Sequence, residues 1–337
     1  MSALRASVST VAGPAVSVRD LSVRFVTRER TVHAVNGVSF DLAPGEVLGI
    51  LGESGSGKSV TLRALMGLLP RRYTRIDGRV LVAGRDVRAL ADAELADVRG
   101  RQVAMIFQEP MTTLDPVFTI GEQIVEAVVR HERVSPRAAR ARALELLELV
   151  QIPSPERRLK AYPHEMSGGM RQRAMIAIAL SCRPTVLLAD EPTTALDVSV
   201  QVQILLLLRQ LQRDLGMAVI FVTHDVGVAV EIADSLAVMY AGRFVETAPT
   251  RALIRAPRHP YTRGLLASTV RGATRGQVLE AIPGLPPDLG ELPTGCSFAP
   301  RCRHAEHRCA VASPPGHAVA HDHLVRCIRV ADGSLPA

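Results

Sequence analysis

The chain has 337 residues, 47% of them hydrophobic, enough for a packed core in one large domain or two ordinary ones, and too many for a disordered protein. Its formal net charge of +7 permits an anionic partner, but an Arg-rich, Ala-rich composition carries such a charge with no nucleic acid to bind. No run of about 18 uninterrupted apolar residues occurs, so no segment reads as a membrane span.

Residues 1–15 lack a long apolar stretch of the secretory kind and read as a flexible tail, from which a cytoplasmic location is expected. From Val16 to about Glu46, apolar and polar residues alternate (Val16, Val18, Leu21, Val23, Phe25, then Val32 to Phe40), predicting antiparallel strands at a sheet edge. Val47 to Leu51 reads as a short buried strand, Gly52 to Ser59 as a glycine-rich turn, and Val60 to Leu69 as a helix ended by Pro70. The stretch from about 108 to 182 is mostly helical in pattern. Within it Ala143, Leu146, Leu147 and Val150 share one helix face, so a helical insert is expected. Strand and helix then alternate over Val186 to Ala189, Val198 to Leu215, Val219 to Thr223 and Val226 to Ala233, the pattern of an α/β core with mainly parallel pairing. Beyond about Arg255 the composition shifts to Pro, Gly, His and Cys with little periodicity, and a domain boundary is expected there. Too few apolar residues follow for a separate core, so residues 256–337 need a staple.

Three segments carry chemistry. Gly52-Glu53-Ser54-Gly55-Ser56-Gly57-Lys58-Ser59 fits the pattern G-x-x-x-x-G-K-[ST] between a predicted strand and a predicted helix. Its glycines let backbone N–H groups converge on phosphate oxygens, Lys58 bridges the β- and γ-phosphates, and Ser59 offers a hydroxyl to Mg²⁺. The apolar strand before Asp190 and Glu191 ends in two carboxylates; Asp190 suits a Mg²⁺-bound water and Glu191 an attacking water, although a solvated strand end leading into Pro192 has the same appearance. A later strand ends at Thr223-His224-Asp225, where His224 is within range of a γ-phosphate only if the other segments converge on it. Cys296, Cys302, Cys309 and Cys327 crowd the last part of the chain, with spacings that match neither a short zinc knuckle nor a ferredoxin run. In a reducing compartment they read as metal or cluster ligands, or as four unrelated thiols. Cys182 reads as a small buried residue.

Met166-Ser167-Gly168-Gly169-Met170 resembles the L-S-G-G-Q signature of ABC ATPases. The family's motifs are present in order: Walker A at Gly52 to Ser59, Q-loop at Gln108, signature at Ser167 to Gly169, Walker B at Asp190 and Glu191, D-loop at Ala195-Leu196-Asp197, and switch histidine His224. Over roughly residues 16–255 the resemblance implies an α/β P-loop NTPase of the ABC cassette type. Such a cassette has a mainly parallel core sheet, an antiparallel edge subdomain and a helical signature subdomain at about 108–182. It implies that Gly52, Ser54, Gly55, Gly57, Lys58, Ser59 and Val60 hold ATP, with Ser59, Gln108 and Asp190 around Mg²⁺. Glu191, His224, Gln108 and Lys58 are then the catalytic group. Adenine is expected on an aromatic of the first strands, for which Phe25 is the candidate, a core aromatic being the other reading of that residue. Ser167, Gly168, Gly169 and Asp197 serve a second cassette docked head to tail, because a signature helix N-terminus cannot reach the phosphate loop of its own chain. Met166 and Met170 depart from the usual Leu and Gln.

Gln108-Glu109-Pro110-Met111-Thr112-Thr113-Leu114-Asp115-Pro116 resembles the Q-loop region of oligopeptide and dipeptide importer ATPases. Arg258-His259-Pro260-Tyr261 and Leu292-Pro293-Thr294-Gly295-Cys296 resemble the C-terminal extension of that group. The resemblance implies a peripheral subunit on the cytoplasmic face of the membrane. Its partners would be a second ATPase subunit, two permeases and an extracytoplasmic peptide-binding protein, with no nucleic acid. Nickel and glutathione importers share this ATPase type. The resemblance further implies that the four tail cysteines hold a [4Fe-4S] cluster, with zinc as the alternative. A non-transport ABC ATPase acting on nucleic acid or ribosomes is the rival class, disfavoured by the single cassette and the lack of a long heptad coiled coil.

Overall fold

The computed structural model describes residues 13–194, 196–268 and 281–335; the expected N-terminal tail up to residue 12 and Ala195 lie outside them. In chain order the elements begin with β1 Val16–Val26, β2 Thr31–Leu42, β3 Val47–Leu51, α1 Lys58–Leu65, β4 Thr74–Val82, β5 Arg85–Asp86, α2 Asp92–Arg101 and β6 Val103–Ile106. A helical stretch follows: α3 Pro110–Thr113, α4 Ile120–Glu132, α5 Pro136–Leu149, α6 Pro155–Arg158 and α7 Gly168–Leu180. Then come β7 Val186–Asp190, α8 Val198–Leu215, β8 Ala218–Thr223, α9 Val226–Ile232, β9 Ser235–Tyr240 and β10 Arg243–Pro249. The chain closes with α10 Thr250–Arg255, α11 Pro260–Ala267, β11 His317–Ala320, β12 His323–Val325 and α12 Ile328–Ala331. Two compact units arise, and neither is continuous in sequence: the first is built mainly from Asp41–Glu46 and Leu81–Ile220, the second from Ser17–Phe40, Val47–Val80 and Phe221 onward.

In the first unit β6 and β7 pair in parallel, Val103 opposite Val186 through Ile106 opposite Ala189. Every residue of both strands is buried, which is why each reads as an unbroken apolar run rather than an alternating one. The helices owe their starts to local chemistry. Thr119 accepts the Glu122 N–H while the Glu122 carboxylate accepts the Thr119 N–H, a reciprocal cap that opens α4. Ser135 caps α5 with Pro136 in its first turn. Ala139, Ala143, Leu146 and Leu147 form the fully buried face of α5, which packs on α4 and α7 as the helical-insert expectation requires. Gly121 donates its N–H to the Leu159 carbonyl, and a Cβ there would lie 2.5 Å from that oxygen, so only glycine permits the approach.

In the second unit β2, β1 and β4 are hydrogen-bonded neighbours in that order. β3 pairs in parallel with β9, β10 lies antiparallel to β9, β12 antiparallel to β10, and β11 antiparallel to β12. The segment beyond Arg255 therefore contributes strands to this unit's sheet, where the sequence offered little periodicity. These strands are four and three residues long, too short for alternation to register. Their pairing is secured by a side chain: Glu246 on β10 is buried, accepts the backbone N–H groups of Arg258 and His259 at 2.8 and 2.9 Å, and bonds His323 Nε2 on β12 at 2.8 Å.

Candidate functional site

Gly52 to Ser59 joins the carboxyl end of the parallel strand β3 to the N-terminus of α1, the place where open α/β sheets receive phosphate. The helix starts at Lys58, two residues earlier than the apolar pattern suggested, with Gly57 as its N-cap at φ +106°. A Cβ on Gly57 would lie 2.3 Å from the Ala34 carbonyl oxygen, and one on Gly52 2.3 Å from that of Met239, so both glycines are dictated by close backbone contacts. Lys58 is only 4% exposed, and its ammonium donates to the Gly52 and Glu53 carbonyls at 2.8 Å each. Those two bonds hold the loop curled around the charge. Ser54 and Gly55 are exposed at the rim, while Ser59 and Val60 are half-buried in the first turn of α1. In the same unit, His224 stands exposed between β8 and α9, beside Asp225, which caps α9 by accepting the Gly227 and Val228 N–H groups. Phe25 is half-buried near the end of β1, on the face that also carries Leu21 and Val23.

In the first unit, the adjacent parallel strands β6 and β7 deliver Gln108 and Glu191 side by side at their carboxyl ends. Asp190 is 2% exposed. Glu191 adopts φ +47°, a left-handed conformation that a non-glycine residue takes at a cost and that is concentrated at functional sites. Its Oε2 accepts hydrogen bonds from Thr194 Oγ1 at 3.0 Å and Gln108 Nε2 at 3.4 Å. Thr194 is the residue that sequence reasoning missed; a lone threonine after Glu-Pro-Thr carries no signal of its own. Ser167 caps α7, accepting the Met170 N–H at 3.4 Å, and Ser167 and Gly168 are exposed. A Cβ on Gly169 would meet Val200 Cγ1 at 2.7 Å, so this glycine lets α7 seat against α8, whose N-cap is the exposed Asp197. Met166 is 3% exposed and fills the apolar role of the usual leucine.

Cys296, Cys302, Cys309 and Cys327 line one cavity, walled also by Phe298 and Ile328. The Cys296 N–H donates to the Cys309 carbonyl at 2.8 Å, and a Cβ on Gly295 would lie 2.2 Å from that oxygen. Burial pushes the Cys296 thiol up to about 11 and raises those of Cys302 and Cys327. Among the described residues, no group of three or more His, Cys, Asp or Glu side chains is arranged to hold a single metal ion. Cys182 is buried and donates to the Ala127 carbonyl, as expected of a small core residue.

Residues 35–194 match the family model described as ABC transporter, and residues 245–309 match the C-terminal region of oligopeptide and dipeptide transporters. A dipeptide transport ATP-binding protein of Bacillus subtilis is 49% identical over 313 residues, covering 93% of each chain. The chain belongs to the ABC transporter family. An oligopeptide transport ATP-binding protein of the same bacterium is 49% identical, across 92% of this chain and 87% of its own. A putative peptide import ATP-binding protein of Brucella melitensis is 50% identical, across 94% and 97%. A dimeric ATP-binding cassette in a post-hydrolysis state with ADP and Pi aligns with a TM-score of 0.63 at 30% identity, over 70% of this chain and 99% of its own.

Among the described residues, the phosphate loop follows one parallel strand, Asp190 and Glu191 end another, and Ser167 and Gly168 stand at an exposed helix N-terminus. Within the first unit the structure brings Gln108, Glu191 and Thr194 together. Within the second it brings together Gly52, Glu53 and Lys58, and separately the four tail cysteines. No described helix is long and apolar enough to cross a membrane.

Proposed function

We propose that the chain is the ATP-hydrolysing subunit of a peptide importer, docked on the cytoplasmic face of the membrane. The observation that carries the hydrolytic reading is Glu191, held out of the ordinary backbone regions by its φ of +47° and gripped by Thr194 and Gln108. A carboxylate so fixed orients and polarises an attacking water rather than packing a strand end. Gln108 reports to Glu191 from the loop that opens the helical insert, so movement of that insert reaches the base through one hydrogen bond. Val117 and Phe118, in the same insert, are 70% and 49% exposed, an apolar surface suited to a permease helix. The exposed Ser167 and Gly168 serve the nucleotide of a second ATPase subunit, whose own signature completes the site at Lys58. The relatives' role in dipeptide and oligopeptide transport, together with the shared C-terminal region, supports peptide as the cargo, delivered by an extracytoplasmic binding protein.

Ser59 in the second unit offers a hydroxyl, and Asp190 and Gln108 in the first a carboxylate and an amide oxygen, each a hard donor of the kind that would suit Mg²⁺, which would neutralise phosphate charge. The tail cysteines offer four sulfur donors around one cavity, which suits the [4Fe-4S] cluster, with zinc as the alternative. Such a group staples a tail that lacks a core of its own. Glu191→Gln tests the hydrolytic reading: turnover should fall by about 10²–10⁴-fold with ATP affinity retained, and unchanged turnover would contradict it.

A further inference from the structure

Glu53, the second residue of the phosphate loop, is held at three points. Its carbonyl accepts the Lys58 ammonium at 2.8 Å, and its N–H donates to the Tyr261 hydroxyl at 3.0 Å. Its carboxylate is gripped by Arg301, Nη1 to Oε2 at 2.7 Å and Nη2 to Oε1 at 3.1 Å. Two of those three partners come from beyond the cassette's last helix before the tail, α10. Arg301 is itself fixed in place: Nε donates to the Pro283 carbonyl at 2.9 Å, Nη1 to the Tyr240 hydroxyl at 3.3 Å, and its side chain is 6% exposed. Tyr240, Tyr261 and Phe298 form the floor beneath it, with ring centroids 4.6 to 5.4 Å apart. The turn that bears Arg301, Ala299–Arg301, is bracketed by Cys296 and Cys302, so the clamp stands on the four-cysteine site. The tail also reaches the first strands: the Leu289 carbonyl accepts the His33 N–H at 2.8 Å, and Asp288 pairs with Arg30 at 3.3 Å.

We propose that Arg301 is a positioning residue for ATP binding, holding Glu53 so that the loop and its lysine are set to receive phosphate. The inference rests on the reading of Gly52 to Ser59 as the nucleotide loop. A carboxylate inside a loop that binds a polyanion repels its ligand unless it is neutralised, and a bidentate guanidinium does this while fixing direction as well as charge. Tyr261 adds the second constraint by holding the Glu53 N–H, which orients the peptide whose carbonyl Lys58 grips. Arg301 touches neither the reacting atoms nor Glu191, so its effect falls on nucleotide affinity and not on the chemical step.

The test uses the full chain assembled with its partner subunits and reads KM for ATP against kcat. Arg301→Met should raise KM roughly tenfold with kcat within about twofold, since it leaves the Glu53 carboxylate unpaired in a partly exposed site. Adding Glu53→Gln to Arg301→Met should restore most of the affinity, because the uncompensated charge is gone; a tail that had merely come loose would stay defective. Tyr261→Phe, which keeps the aromatic floor, should raise KM about fivefold and decides the matter if Arg301→Met does not fold. An unchanged KM in Arg301→Met or in Tyr261→Phe, or a defect that Glu53→Gln does not relieve, overturns the proposal. Lys58→Ala serves as the control: if it leaves ATP binding intact, the loop reading has failed, whereas its loss beside an unmoved Arg301→Met sinks the clamp alone.

Discussion

Replacing Glu246 by alanine should release the tail. The carboxylate is buried on β10 and satisfies three donors at once: the N–H groups of Arg258 and His259, and Nε2 of His323 on β12. Alanine leaves all three donors, two buried and one partly buried, without an acceptor, each worth about 1–3 kcal/mol, so a loss of about 3–9 kcal/mol is expected. That is a large share of the roughly 5–15 kcal/mol that holds an ordinary domain together. Glu246→Gln keeps an acceptor oxygen for part of the set and should cost about half as much. Urea denaturation of the full chain reads both: at a slope of about 3 kcal/mol/M, alanine moves the midpoint down by at least about 1 M. Limited proteolysis should cut Glu246→Ala first in the segment after Arg255, where the unlatched backbone becomes accessible. A midpoint within about 0.2 M of the parent, with an unchanged cleavage pattern, would refute the claim that this one side chain couples β12 to β10.

Stability should fall in acid through His259, which is 1% exposed, accepts the Tyr261 N–H on Nδ1, and is held by burial at a pKa of about 3. Above pH 6.5 the ring is neutral folded and unfolded; between pH 6.5 and about 3 only the unfolded chain takes up the proton, so stability drops as the pH is lowered. From pH 7 to pH 5 the loss through this residue is about 2 kcal/mol, and thermal melts of His259→Asn should show a slope flatter by that amount. Gly57→Ala forces an L-residue into φ +106° with its Cβ 2.3 Å from the Ala34 carbonyl. It should cost about 3 kcal/mol and abolish binding of a fluorescent ATP analogue, measured by titration beside a melting curve.

The chemistry-bearing segments were legible because each is local: a strand, a glycine-rich turn and a helix in direct succession for Gly52 to Lys58, an unbroken apolar strand before Asp190, a serine cap before α7. The face of α5 and the small buried Cys182 were readable for the same reason. What escaped depends on partners distant in sequence. The strand β12 is specified by its pairing to β10 and by His323 meeting Glu246, neither of which leaves a periodic trace in three residues. Thr194 matters only because Glu191 turns back toward it at φ +47°. Glu53 occupies a position the phosphate-loop pattern leaves open, and its three partners, Lys58, Tyr261 and Arg301, identify its role only once folded. The early start of α1 at Lys58 reflects Gly57 taking the cap, which the apolar spacing of the helix does not report.

ATP hydrolysis by the cassette reconstituted in liposomes with its permeases, with and without peptide-loaded binding protein, tests the central claim most directly. Hydrolysis accelerated several-fold by the loaded binding protein, accompanied by peptide accumulation inside the vesicles and absent in Lys58→Ala, is the expected result. Hydrolysis indifferent to peptide and permeases, or stimulated instead by nucleic acid, would contradict it.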